Sequence, residues 1–293
     1  MTKHPTHAFQ ILKAIGAENW EDSSSALSLA DTALQFVMGN ANPGTYHRTK
    51  SQLFEDAYLS FDFSMRNLFL EDGPLDEKSQ DALQAWLKLL QKTTPPSWKI
   101  HNVLDAVLDN FKNATRDEKE MIQILERFPK KTTEWSPACT KGEDGMGYTC
   151  GLWQLFHIMS VGVVEWNKQG TFLDLSLSSV EVADTMKSFI EYFFRCDECR
   201  TNFLKAYEAC EQNRCQRLIR SKRLSASQEF SLWLLDTHNA VNFRLAKEGG
   251  RVKTDQDALN TKWPSPSDCP KCWNTNGTYD RDIMLKHLRI EYW

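Results

Sequence analysis

The chain has 293 residues, 41% of them hydrophobic and 25% charged, with a net charge of -4. That length can bury a sizeable core in one or two domains, and the balance is that of an ordinary globular chain. The mild acidity gives no electrostatic reason to expect nucleic acid or an anionic membrane as partner. No apolar run reaches the roughly eighteen residues of a bilayer span. The opening Met1-Thr2-Lys3-His4-Pro5 lacks the apolar stretch of a signal peptide.

Apolar residues recur at helical spacing almost throughout, and no convincing strand alternation interrupts them, so an all-α fold is expected. The pattern predicts helices at about 6–17, 24–39, 48–70, 76–92, 98–113 and 117–128. Further helices are predicted at about 150–166, 179–194, 196–209, 227–247 and 280–290. Ser225 three residues before Gln228 reads as a capping box, and Gly249-Gly250 as the stop of the same helix. Asp280 is a suitable cap for the last helix. Phe128 to Thr133, polar and containing Pro129, reads as a linker, which places a domain boundary between residues 132 and 133. The arginine-rich segment Arg214 to Arg223 reads as a solvated turn.

All eight cysteines lie beyond residue 138, at 139, 150, 196, 199, 210, 215, 269 and 272. Such paired spacing signals disulfides or metal ligands and does not fix connectivity. Cys196 and Cys199 fall where one apolar helix (Val182, Met186, Phe189, Phe193) gives way to the next. A cysteine in the first turn of a helix meets unpaired backbone amides, and its pKa can fall from about 8.5 to roughly 3.5–7.5. That suits thiol–disulfide exchange, while a zinc knuckle or an inert local disulfide fits the same spacing. Cys269-Pro270-Lys271-Cys272 offers a second pair, and the two together could form a tetrahedral four-cysteine zinc site.

Trp153 and His157 share a helical face, as a pair flanking a flat ligand would, although a core tryptophan beside a satisfied histidine has the same spacing. His238, Asn239 and Asn242 stand next to the apolar stripe Phe230, Trp233, Leu234, Val241 and Leu245. Left unpaired there, each polar group would cost about 1–3 kcal/mol. A nucleotide moiety or solvent would satisfy them. Asn113-Ala114-Thr115 and Asn276-Gly277-Thr278 are glycosylation acceptors if the chain is secreted.

Four segments carry a family resemblance. Cys150-Gly151-Leu152-Trp153-Gln154-Leu155-Phe156-His157 resembles the first helix of Erv/ALR-type FAD-linked sulfhydryl oxidases, and Phe193 to Phe203 around Cys196-Asp197-Glu198-Cys199 resembles their active-site disulfide. Trp233 to Leu245, around His238-Asn239-Ala240-Val241-Asn242, is similar to their flavin-binding helix. Lys262-Trp263-Pro264 followed by Cys269-Pro270-Lys271-Cys272 resembles the tail of the quiescin branch. The likeness covers about 139–293 in family order, and Tyr58 to Pro96 resembles more faintly the degenerate oxidase domain that precedes the active one in quiescins.

The resemblance implies a degenerate oxidase domain at 1–132 and an FAD-binding oxidase domain at 133–293. Cys196 would be the interchange thiol and Cys199 would lie next to the isoalloxazine. Trp153, His157, Glu198, Asn202, Asp236, His238, Asn239, Val241, Asn242, Lys262 and Trp263 would contact the cofactor, with no metal. Cys139 and Cys150 match a structural disulfide. Cys269 and Cys272 would be structural or a relay, and Cys210 and Cys215, without a counterpart, are expected to form a local disulfide. The implied activity makes disulfides from dithiols and passes the electrons through FAD to oxygen, giving hydrogen peroxide. The implied partners are a dithiol protein, delivered by a thioredoxin-like domain or protein, and molecular oxygen; the implied compartment is the secretory pathway. Met146, Asn202 and Asn260 depart from the family's arginine, histidine and lysine. Competing readings are a zinc-stabilised helical interaction module and a disulfide-stabilised binding scaffold.

Overall fold

A computed structural model describes residues 48–70, 73–140, 147–170 and 176–293. Among these the chain forms thirteen α-helices. In order they are α1 (Lys50–Asn67), α2 (Glu77–Thr93), α3 (Ile100–Asp109), α4 (Phe111–Ala114), α5 (Glu118–Glu126), α6 (Pro137–Thr140) and α7 (Gly147–Gly170). There follow α8 (Ser179–Phe193), α9 (Asp197–Glu208), α10 (Arg214–Arg217), α11 (Leu224–Glu248), α12 (Asp255–Asn260) and α13 (Arg281–Tyr292). The extended pairing among the described residues is one isolated bridge, Trp273 to Tyr279. The fold is all-α. The helices predicted at 6–17 and 24–39, and Met146, lie outside the described residues.

Local signals explain most boundaries. Thr49 and Gln52 close a capping box at the start of α1, and Ser178 and Glu181 do so for α8. Asp280 caps α13 by accepting a hydrogen bond from the Ile283 amide. Two expectations need correction. The 98–113 helix breaks at Asn110, whose side chain donates back to the Ala106 carbonyl and competes with continuation. The Ser225–Gln228 box does not form, because α11 already starts at Leu224 and leaves Ser225 inside its first turn. The helix does stop at Gly249, and Gly250 follows with a left-handed φ of 67° that glycine adopts without steric cost.

The hub is α7. Leu152, Leu155, Phe156, Ile158, Met159, Val161 and Val163 are buried, pointing to every side of the helix. A helix apolar all round has to be covered all round. α1 and α2 cover one part of it, and α11 and α13 cover another. Two glycines make the approach possible. A Cβ on Gly151 would lie 2.2 Å from the Asp56 carbonyl oxygen, and one on Gly162 would lie 1.6 Å from that of Thr93.

Aromatic contacts extend the packing outward. Trp86 of α2 stacks on Phe189 of α8 with ring centroids 4.5 Å apart, and Phe69 meets Phe193 at 4.7 Å. A continuous apolar core therefore runs across residues 132 and 133. The segment read as a linker lies against α1: Lys130 pairs with Asp62 at 2.9 Å and Lys131 with Glu55 at 3.4 Å. Just beyond it, the buried Asp56 carboxylate accepts hydrogen bonds from the Ser136 amide (2.7 Å) and hydroxyl (2.6 Å). The parts on either side of 132/133 share one interior.

Overpacking a helix crossing costs about 1–3 kcal/mol. Gly162→Ala is expected to lose at least the upper end of that range in urea unfolding, since its methyl would meet backbone, whereas Gly250→Ala, with open space around it, should lose only about 1–2 kcal/mol, the cost of a left-handed alanine. Equal losses at the two sites would contradict the role given to α7.

Candidate functional site

α7, α8, α9 and α11 enclose a cavity of about 410 Å³. Its walls are mainly apolar and aromatic, with Leu152, Phe156, Met186, Ile190, Phe203 and Trp233 among them. That size and character are those of a small-molecule site. Four of the residues singled out in the sequence reach it: Trp153, Cys199, Asn202 and Val241. Two polar atoms among its lining residues are buried without a hydrogen-bond partner, Thr149 Oγ1 and Trp233 Nε1. Such groups are costly unless something polar meets them. A flat heteroaromatic ring with acceptors on its edge fits this donor set.

A disulfide borders the cavity through Cys199. Cys196 and Cys199 are bonded to each other. Cys196 is the N-cap of α9, its Sγ accepting from the Cys199 amide at 3.3 Å. Both sulfurs therefore sit at the positive end of a helix. The bridge rests against Leu245 and Val241 of α11. Cys199 lines the cavity; Cys196 does not.

Behind Trp153 the side chains form a ring pile. The indole stacks on His238 with centroids 4.1 Å apart and planes within 5°. His238 Nδ1 and His157 Nε2 are 3.0 Å apart, a hydrogen bond that needs one ring as donor and the other as acceptor. Trp263 packs on His157 at 4.3 Å, and Tyr292 stacks on His157 at 5.3 Å. Burial holds both imidazoles in the neutral form. It brings His238 down to about 3, with the nearby Arg48 charge adding to the effect. His157 is also pushed well below the usual histidine range, by burial first and then by His238.

The remaining predicted residues divide into two groups. Asn239 grips the Trp263 backbone, donating to its carbonyl at 2.9 Å and accepting from its amide at 2.6 Å. It is a positioning residue for that indole. Asn242 is half-buried on α11. The structure does not bring Glu198, Asp236 or Lys262 to the cavity. Glu198 is exposed in the first turn of α9. Asp236 is taken up by Arg217 (2.7 Å) and Tyr279 (3.0 Å), and Lys262 lies over the Trp273 ring at 5.4 Å.

The other cysteines pair as Cys139–Cys150, Cys210–Cys215 and Cys269–Cys272. With each Cys-x-x-Cys closed on itself, and no cluster among the described residues uniting the two, a shared four-thiolate metal site does not form. The Arg214–Arg223 segment is more than a solvated turn. The Arg214 guanidinium lies 3.9 Å over the Tyr207 ring, and Arg217 also pairs with Glu229 at 2.9 Å. These contacts hold the Cys210–Cys215 loop against α9 and α11, where Glu211 and Gln212 reach the cavity.

Comparisons with known proteins point to one group of relatives. Residues 150–264 match the Erv1 / Alr family. That matched segment carries α7, α8, α9 and α11, the helices around the cavity. The chain is 28% identical over 230 residues to "Sulfhydryl oxidase 1" of Oryza sativa subsp. japonica, covering 73% of this chain and 40% of that protein. It is 30% identical over 227 residues to "Sulfhydryl oxidase 1" of Gallus gallus, covering 72% of this chain and 28% of the relative. The chain thus spans less than half of either protein. The fold is similar to that of the "Sulfhydryl Oxidase Fragment of Human QSOX1", with a TM-score of 0.60 and 22% identity, over 81% of this chain and 94% of that one. No helix among the described residues is long and apolar enough to cross a membrane.

Thr149, Trp233 and Tyr292 escaped the sequence reading. Thr149 precedes the motif by one residue, Trp233 hides in an apolar stripe, and Tyr292 comes from the far end of the chain. The two neutral histidines make stability depend on pH. In the unfolded chain each protonates near 6.5, while in the folded one it does not, so stability is complete above that value and is lost as pH falls toward 3. The slope is about 1.4 kcal/mol per pH unit for each histidine. Urea unfolding between pH 6.5 and 5, where ordinary carboxylates hardly titrate, is expected to show this decline. His238→Phe should roughly halve it, leaving the contribution of His157, and an unchanged slope would contradict the buried neutral pair.

Proposed function

We propose that this chain is a flavin-dependent thiol oxidase that makes disulfides from dithiols. The observation that carries the proposal is the placement of Cys199 in the wall of an aromatic cavity while its partner sulfur stays outside it. FAD fits the residues present. Thr149 and Trp233 offer unsatisfied polar atoms, and Trp153, Phe203 and Val241 offer flat or apolar walls. Lys205 and Arg244, also on the lining, supply positive charge suited to a pyrophosphate. His157, His238 and Asn239 support Trp153 and Trp263 from behind. The chemistry a bound FAD supplies is acceptance of two electrons from the dithiol and their delivery to oxygen, which becomes hydrogen peroxide.

The steps on this chain's own residues follow from thiol exchange. A substrate thiolate attacks Cys196 Sγ, forming a mixed disulfide and breaking the Cys196–Cys199 bond. The electron pair of that bond leaves on Cys199. Its thiolate is stabilised by the first-turn amides of α9, which lower a cysteine pKa by about one to five units in comparable settings. The second substrate thiolate then attacks the substrate sulfur of the mixed disulfide. This releases oxidised substrate and leaves Cys196 as a thiolate, the two electrons now residing on the cysteine pair. The Cys196 cap holds Cys199 in the first turn of α9, at the cavity wall.

The substrate class is a protein dithiol. The less-than-half coverage of the relatives is compatible with delivery by a thioredoxin-like domain or separate protein, and the family likeness with action in the secretory pathway. The zinc-module reading finds no support in the geometry.

Cys199→Ser is expected to lower dithiol-dependent oxygen consumption at least about a thousandfold while the visible flavin absorbance remains, since it removes an exchanging sulfur and leaves the cavity walls intact. Retained turnover would refute its assignment. Trp233→Phe should weaken FAD binding by about 1 kcal/mol, roughly fivefold, through loss of one hydrogen-bond donor. Equilibrium dialysis checks this, and unaltered affinity would mean that the indole N–H does not meet the cofactor.

A further inference from the structure

Cys269 and Cys272 lie on a turn packed against α13, and the nitrogen of His287 on that helix stands within 4.8 Å of both sulfurs. No other group of three such ligands comes this close among the described residues. Cys272 is fully buried, while Cys269 and His287 are half-buried, so the cluster faces inward with one open side. Its scaffold is rigid. The Cys269 amide donates to the Ser265 carbonyl, the Cys272 amide to that of Cys269, and the Asp280 amide to that of Cys272. This last bond ties the turn to the cap of α13. Asp268 and Glu291 add negative charge around the imidazole.

We propose that reduction of the Cys269–Cys272 bond converts this cluster into a site for a thiophilic divalent cation of the zinc class. The site is independent of the cavity and of the Cys196–Cys199 pair. Reduction by an external dithiol moves two electrons onto the sulfurs, yields two thiols, and leaves the reductant as its disulfide. Binding then displaces both thiol protons, so two thiolates and one neutral imidazole hold the cation and a water completes the tetrahedron. Metal–sulfur bonds of about 2.3 Å require the sulfurs to separate to about 3.7 Å, a movement that side-chain rotations supply on the existing turn. The tail from Pro264 to Asp280 is therefore clamped by a covalent bond when oxidised and by a cation when reduced.

The test titrates Zn²⁺ into the full chain, with and without a phosphine reductant, and reads free metal with a chromophoric chelator. The reduced protein is expected to bind one zinc that the oxidised protein does not. Cys196→Ser/Cys199→Ser should keep that zinc, and Cys269→Ser/Cys272→Ser should lose it. His287→Ala should lower the affinity at least tenfold while circular dichroism stays unchanged. If the double cysteine variant unfolds, His287→Ala decides alone, because it leaves every sulfur in place. Zinc bound equally by the oxidised chain, lost with Cys196 and Cys199, or unaffected by His287→Ala would overturn the proposal.

Discussion

Everything in this structure depends on a helix with no exposed side. Because α7 is covered around its circumference, it must be approached closely by backbone at Gly151 and Gly162, and its polar side chains must find partners indoors. Gln154 illustrates the second demand. Its carbonyl accepts from Arg48 at 2.9 Å and from the Tyr292 hydroxyl at 2.8 Å, so residues from both ends of the described chain converge on one amide. His157 illustrates it again, through His238. The same helix presents Trp153 to the cavity. Packing and site are thus consequences of one burial problem.

The functional arrangement is an asymmetry between two sulfurs three residues apart. The N-cap position holds Cys196 away from the cavity, and the first helical turn carries Cys199 into its wall. Neither placement requires unusual chemistry. A helix start, a two-residue spacer and apolar support from Val241 and Leu245 are sufficient. What distinguishes the site from an ordinary surface disulfide is the aromatic cavity on one side of it.

How much of this was legible beforehand differed by residue. The amphipathic stripes of α2 and α8 announced themselves, as did Asp280 as a cap, because those signals are local. The Cys196–Cys199 tetrad and the His238 helix were legible through their motifs. Arg214–Arg223 misled because charge usually means solvent, whereas Arg217 is consumed by Glu229 and Asp236. Asp236 was assigned to the cofactor through the family resemblance; its partners here lie 19 and 43 positions away, and no one-dimensional signal records them. Tyr292 could not be assigned because its role comes from α13 folding back onto α7, a contact across 138 residues.

The central claim is that Cys199 Sγ and a bound flavin share one cavity, and the absorption spectrum of Cys196→Ser tests it most directly. Freed of its partner, Cys199 is a lone sulfur in the first turn of α9, where backbone amides favour its thiolate form. Placed against an oxidised flavin, it should give a long-wavelength charge-transfer band beyond the flavin's own absorption, lost on acidification and absent from Cys196→Ser/Cys199→Ser. A flavin-bound Cys196→Ser protein without that band, or a purified chain that binds no flavin, would contradict the account.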